Sequence, residues 1–92
     1  MQSTAQIQTQ QAQRLAKRLA NHWKHKFTIE ETDQQFLIHF PSAELMLIPL
    51  TEHLLVTIQS SDESTDFDKL ENVVLDHLIR MGQEDLTADW QR

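Results

Sequence analysis

Histidine is the residue type whose abundance most suggests chemistry in this sequence, because five histidines occur among 92 residues. His22 and His25 have a spacing that is familiar from metal ligands on one face of a helix. The predicted order of helix, antiparallel meander and helix, however, places His77 at the opposite end of the molecule from His22, and the sequence contains no cysteine. We therefore expect no tightly bound metal ion and no cofactor.

His77 is the most informative single residue, because it falls in the middle of the apolar face of a predicted helix. A buried imidazole needs a hydrogen-bond partner, and a strand carbonyl or the C-terminal segment is the expected one. The alternative is a ring that binds a ligand or handles a proton. The sequence leaves both interpretations open.

No catalytic constellation is visible in this sequence. A single glycine excludes a glycine-rich phosphate loop, and neither a nucleophile elbow nor a Ser-His-Asp arrangement can be recognised. Four carboxylates crowd one predicted helix start, where capping of free backbone amides explains them without catalysis. They are Asp62, Glu63, Asp66 and Asp68. The sequence therefore favours a protein that is not an enzyme.

The two tryptophans are the largest apolar side chains, and each lies in or beside a polar segment. Trp23 stands within residues 21–26, and Trp90 stands within the acidic tail of residues 85–92. We expect both rings to anchor the core. Contact with a ligand is the alternative use of an indole ring whose surroundings are polar.

Two amphipathic helices are predicted to carry most of these residues. The first runs from Ala12 to about His25, with apolar residues at three- and four-residue spacings. The second follows the acidic, hydroxyl-rich segment 60–66, which is typical of a helix start, and ends near Gly82. Residues 1–11 hold five glutamines and are expected to be frayed. Residues 83–92 are expected to form a strap that packs onto the body.

Between the helices, apolar residues alternate with polar ones in four short runs, which indicates four strands. The alternating residues are Phe27 and Ile29, then Phe36, Ile38 and Phe40, then Leu45 and Leu47, then Leu54, Val56 and Ile58. Short polar or proline-containing breaks favour antiparallel neighbours. We therefore predict one α+β domain over residues 1–92: a two-layer sandwich ordered helix, four-stranded antiparallel meander, helix, with a short C-terminal strap.

The formal net charge of −6 hides an asymmetry between the two ends of the chain. Residues 1–28 carry five basic and no acidic side chains, whereas residues 29–92 carry three basic and fourteen acidic ones. This acidic balance argues against a nucleic-acid-binding surface. The longest apolar run has only six residues and the N-terminus lacks a signal-peptide core. We expect a cytoplasmic protein that binds neither nucleic acid nor a membrane.

The sheet face opposite the helices is expected to carry apolar side chains as well. Leu37, Met46, Ile48 and Leu55 have the strand parity opposite to the predicted core. Monomers seldom expose a large contiguous apolar patch. We therefore predict a two-fold homodimer through this face. The alternative is a monomer in which the tail lays Leu86 and Trp90 across the same face.

The chain resembles the bacterial domain-of-unknown-function family 2218 over roughly residues 10–92. The resemblance rests on a first helix that ends in His-Trp with a following Lys, an Asp before the last helix, and a His-Leu-x-Arg segment with a terminal Trp. These positions are His22, Trp23, Lys26, Asp62, His77, Arg80 and Trp90. The sequence departs from the family after Arg80, where Met81-Gly82-Gln83 stands in place of the usual aromatic residues.

The resemblance implies a small α/β domain with no assigned reaction and, by family analogy, a context of iron or siderophore metabolism. The first functional hypothesis is therefore a binding or accessory module with a protein or small-molecule partner. The alternative is a small-molecule site lined by His22, Trp23, His77 and Arg80. The resemblance adds Lys26 and Trp90 to these as candidate ligand-binding residues.

Overall fold

The computed structural model describes residues 1–92 and contains one five-stranded antiparallel sheet with two helices on one face. The elements are β1 (Gln2–Gln8), α1 (Ala12–Trp23), β2 (Thr28–Glu31), β3 (Phe36–His39), β4 (Glu44–Pro49), β5 (His53–Gln59) and α2 (Phe67–Gly82). The strand order across the sheet is β1-β5-β4-β3-β2. The predicted α+β class and the four-strand meander are confirmed, and a fifth strand is added to the meander at β5.

The prediction that residues 1–11 are frayed is wrong, because β1 pairs with β5 along its whole length, from Gln2 opposite Gln59 to Gln8 opposite His53. Ser3, Ala5 and Ile7 alternate with polar residues and point into the helix-covered layer, where all three are buried. Only Ile7 is a large apolar residue, so the alternation carries a weak hydrophobic signal. Pairing with a neighbouring strand decides the structure of this segment, more than its own composition does.

The core lies between the helices and the strand residues that were predicted to face them. These residues are Phe36, Ile38, Leu45, Leu47, Leu54, Val56 and Ile58, all nearly or fully buried. Helix α1 contributes alanines at every fourth position, Ala12, Ala16 and Ala20, and ends at Trp23, slightly before the predicted His25. Since alanine has a short side chain, the helix backbone approaches the sheet closely, and the larger side chains fill the remaining space.

Helix α2 begins directly after the acidic segment 60–66, as predicted, and local contacts explain where it begins and ends. The Asp66 side chain accepts a hydrogen bond from the Lys69 backbone N–H at 3.0 Å, which caps the first turn. At the other end, Gln83 and not the glycine adopts the left-handed backbone conformation, with φ of 53°. A Cβ atom on Gly82 would lie only 3.0 Å from Leu15 Cδ1. The glycine therefore serves the close approach of the two helices.

The C-terminal strap packs onto the body, but not across the open sheet face. Gln91 forms a bridge with Thr4 at the free edge of β1, through two backbone hydrogen bonds of 2.8 Å. Leu86 is buried within the helix-side core, and Trp90 packs against the same core. The alternative in which the tail covers Leu37 and its neighbours is therefore wrong. Neither helix of the structure is long and apolar enough to span a bilayer.

Candidate functional site

His22 and His77 lie side by side, with ring centroids 5.5 Å apart, so the prediction that they occupy opposite ends of the molecule is wrong. The two helices run antiparallel, and Leu15 meets Gly82 where α2 ends. From that contact, α1 rises about 10 Å to His22 and α2 goes back about 7 Å to His77, at 1.5 Å per residue. This register brings the two imidazoles level. Sequence periodicity gives the face of each helix but not their relative register.

Five rings form an aromatic cluster at this corner of the molecule: His22, Trp23, Phe27, Phe40 and His77. The Trp23 ring lies at its centre, 4.9 Å from His77 and 5.1 Å from Phe40, and the second contact is edge-to-face. Phe27 and Phe40 pack edge-to-face at 4.9 Å. Edge-to-face contacts are the favoured arrangement of aromatic rings, so these contacts hold the rings in fixed orientations.

A cavity of about 260 Å³, the aromatic pocket, opens beside this cluster. Trp23, Phe27 and Phe40 line one part of it, and residues of α2 line another. The complete lining is Trp23, Lys26, Phe27, Phe40, Pro41, Ser42, Leu70, Val73 and His77. An apolar cavity with a few polar groups is the usual form of a small-molecule site. A larger depression of about 420 Å³, beside the loop after β5, is lined mainly by polar residues and lacks this apolar character.

His77, which lines the aromatic pocket, has one ring nitrogen without a protein partner. Its Nδ1 atom lies 2.7 Å from the Val73 carbonyl oxygen, one turn earlier in α2. Because a carbonyl can only accept, Nδ1 carries the proton, and in the neutral ring Nε2 is an acceptor. Nε2 has no protein partner. Every buried side-chain nitrogen or oxygen in the structure has one, so Nε2 is not buried and reaches solvent. The partner predicted from sequence, a strand carbonyl or the C-terminal segment, is wrong.

Arg80 lies outside the aromatic pocket, in a neighbouring shallow concavity of about 580 Å³ between the C-terminal parts of the two helices. We call this concavity the cationic groove, and it is lined by Arg18, Asn21, His22, His25, Arg80, Met81 and Gln83. The single site expected from sequence is therefore divided, with His22 on the groove side and His77 on the pocket side. Arg80 pairs with Asp76 at 3.1 Å in an exposed ion pair.

Trp90 belongs to neither concavity, because the adjacent residue Gln91 is held at the free edge of β1. Lys26, in contrast, does line the aromatic pocket, and its Nζ lies 5.6 Å from the Phe27 ring centroid. Of the candidate residues, the structure thus brings His22, Trp23, Lys26 and His77 together, places Arg80 next door and separates Trp90.

A second polar site, the edge cluster, is formed by Ser3, Asp68, Glu71 and Arg92. Glu71 is only 8% exposed, accepts a hydrogen bond from Ser3 Oγ at 2.5 Å, and accepts two more from Arg92, each at 3.1 Å. Arg92 also pairs with Asp68. Hydrogen bonds to Glu71 and then to Asp68 raise the pKa of Arg92 above its usual range. Sequence reasoning missed this site.

Asp62, the remaining position of the family pattern, lies in the exposed loop before α2. Ser64 donates to its Oδ1 from both its hydroxyl, at 2.7 Å, and its backbone N–H, at 2.9 Å. These two bonds lower the pKa of Asp62 below its ordinary value. Asp62 therefore shapes a turn, and Asp66 caps the helix.

Metal ligands do not assemble into a group of three or more anywhere in the structure. The expectation that no metal is bound tightly stays a prediction, and it now rests on the missing third ligand, since His22 and His77 do converge.

The chain matches, over residues 4–91, the model of a family described as uncharacterised proteins conserved in bacteria, DUF2218. It is also similar to the NMR structure of PA4090 from Pseudomonas aeruginosa, with a TM-score of 0.79 and 36% sequence identity. That similarity covers 98% of this chain and 94% of the other. No curated protein matches the chain.

Proposed function

The chain belongs to the DUF2218 family, and we propose that it is a small accessory module that binds a small molecule in the aromatic pocket. The observation that carries this proposal is the meeting of three conditions at one place. There is a cavity of about 260 Å³, its walls include the rings of Trp23, Phe27 and Phe40, and it is also lined by His77, whose Nε2 has no protein partner. The rings supply apolar contact area, and the imidazole supplies one directional hydrogen bond.

The cavity volume limits the ligand to a flat group of one or two rings. Pockets for drug-sized molecules typically have about 300–1,000 Å³, and this one has about 260 Å³. A ring that enters the pocket would pack against Trp23 and His77 and add its contacts to the one that these two rings make with each other. The imidazole Nε2 favours a ligand that carries a hydrogen-bond donor.

Iron or siderophore metabolism is the biological context that the family resemblance adds to the proposal. The pocket is too small for a whole multidentate chelator, so only one ring of such a molecule would enter it. Catechol, with and without ferric iron, is therefore a suitable second probe beside a neutral ring compound.

The test is a titration of the labelled protein with indole, followed by NMR. We expect shifts of the Trp23 and His77 ring signals and a dissociation constant of about 1 mM, as suits a ligand with few atoms. Val73→Phe fills the pocket from α2 and should weaken binding at least about tenfold, because overlap with a filled cavity excludes the ring. Leu75→Phe, a substitution of the same kind outside the pocket, should leave binding unchanged. Shifts that are absent, or equal in both variants, would contradict the proposal.

A second proposal concerns the open sheet face, which we define by Leu37, Met46, Ile48 and Leu55. Leu37 lies opposite Met46, and Ile48 lies opposite Leu55, so the four half-exposed side chains form one patch across β3, β4 and β5. The helices and Leu86 pack on the other face. We propose that a second copy of the chain covers this patch in a two-fold homodimer.

Sedimentation velocity at micromolar concentration tests the homodimer. Leu37→Glu puts a charge into the patch and should convert a dimeric boundary into a monomeric one. Gln2→Glu, at the exposed end of β1, makes the same charge change outside the patch and should have no effect. A parent protein that sediments as a monomer would contradict this proposal.

A further inference from the structure

The cationic groove and the aromatic pocket share a wall made of two imidazole rings. His22 lines the groove, His77 lines the pocket, and their ring centroids are 5.5 Å apart. A ligand that fills the pocket next to His77 therefore lies close to His22 and to the groove that His22 lines. The two concavities are therefore neighbours, one with aromatic walls and the other lined by basic side chains.

Basic side chains line the groove without any carboxylate. Arg18, His22, His25 and Arg80 line it, and no aspartate or glutamate does, although the whole chain has a net charge of −6. Arg18 Nη1 donates a hydrogen bond to the Met81 carbonyl oxygen at 2.9 Å, so the other guanidinium N–H groups of Arg18 remain free. Arg80 is 66% exposed and pairs only with Asp76, and exposed pairs of this kind exchange partners readily.

We propose that the groove holds the anionic group of the ligand whose ring occupies the aromatic pocket. This inference rests on the function proposed above and narrows it to a ligand class: an aromatic acid of one or two rings, with a carboxylate or phosphate on a short spacer. The ring packs against Trp23 and His77, and the spacer passes His22. The acid then meets Arg80 and Arg18, whose planar guanidinium groups suit the oxygens of such anions.

Lys26 is the competing anchor for the acid, because it lines the aromatic pocket itself. Its ammonium group lies 5.6 Å from the centroid of the Phe27 ring on an exposed, flexible side chain. An ammonium group offers a single point charge, whereas the groove offers two guanidinium forks and two imidazoles. The groove therefore suits a carboxylate or phosphate better than Lys26 does. Substitutions of Arg80 and of Lys26 distinguish the two anchors.

The experiment compares indole-3-propionate with indole-3-propionamide, two ligands with the same ring and spacer that differ in charge. We expect the parent protein to bind the acid about fivefold more tightly, as one exposed charge contact would provide. This preference should disappear in Arg80→Gln and decline with added NaCl, because salt screens exposed charges. Arg14→Gln removes the same charge from the exposed first turn of α1 and should keep the preference.

The outcomes separate this inference from the proposed function. Equal affinity for the acid and the amide, with shifts at Trp23, would overturn the anion site and leave the ring pocket standing. Binding of neither ligand would overturn both. A preference for the acid that disappears in Lys26→Gln and persists in Arg80→Gln would place the anion at the pocket rim and overturn the assignment to the groove.

Discussion

Two regions of α2, six residues apart, use polar side chains in opposite ways. In the edge cluster, Glu71 is almost fully buried and each of its oxygens accepts a hydrogen bond from Arg92, while Ser3 adds a further one. At the other corner, His77 is half-buried, and only one of its two ring nitrogens has a protein partner. Removing one partner from a fully paired buried polar group destabilises a fold, because the other partner is left unsatisfied. A free acceptor at an open pocket remains available to a ligand.

The comparison separates residues that build the domain from residues that serve a site. The edge cluster joins the first strand, the last helix and the C-terminal strap, three segments distant in sequence. The aromatic corner joins the end of α1 to the middle of α2 and leaves a cavity between them. If the distinction is correct, substitutions in the first region change stability, and substitutions in the second change binding.

Glu71→Ala should have the largest effect of any single substitution that tests the comparison. It leaves the Ser3 hydroxyl buried without its acceptor and removes both hydrogen bonds to Arg92. We expect a loss of about 3 kcal/mol in the free energy of unfolding, since a buried charged acceptor is removed from its partners. For a domain of this size, the midpoint of thermal unfolding should fall by at least about 12 °C.

Glu63→Ala is the matched control, because Glu63 is exposed in the loop before α2 and makes no hydrogen bond there. It should melt close to the parent protein. A Glu71→Ala variant that also melts within two or three degrees of the parent, or about 0.5 kcal/mol, would show that the edge cluster contributes little to stability. The contrast between the two regions would then fail.

The strands of the meander were predictable because their apolar residues are large and strictly alternating, as in Phe36 and Ile38 or in Leu54, Val56 and Ile58. β1 was not, because Ser3 and Ala5 are small and glutamines stand between them. Its place is decided by the free edge of β5, which composition does not describe. Ser3, the buried partner of Glu71, lies on that strand, and the strap that carries Arg92 pairs with it, so the edge cluster could not be predicted for the same reason.

Half of the candidate-site residues were predictable from the sequence, and the sequence also contained a signal for some of the others. His22, Trp23 and His77 were singled out, but their meeting depends on the helix register that Leu15 and Gly82 determine. Phe27 and Phe40 were taken only as strand residues. Thr28 pairs with His39 in the antiparallel register, so the residues just outside this pair come together at the sheet end. A predicted hairpin with aromatic residues at both outer ends therefore indicates a ring contact.

His77→Ala should change stability less than Glu71→Ala does, and it tests the binding role of the aromatic corner directly. Its hydrogen bond goes to a carbonyl of its own helix, the ring is half-buried, and alanine has the higher helix propensity, so these terms offset one another. We expect the free energy of unfolding to fall by about 1 kcal/mol or less. Indole binding, in contrast, should weaken severalfold, because the ring wall and the Nε2 acceptor are both lost. His53→Ala, a half-exposed histidine on β5 outside the pocket, is the control for binding. A loss of stability as large as that of Glu71→Ala, with binding retained, would mean that His77 is a second structural group and that the two regions of α2 do not differ in purpose.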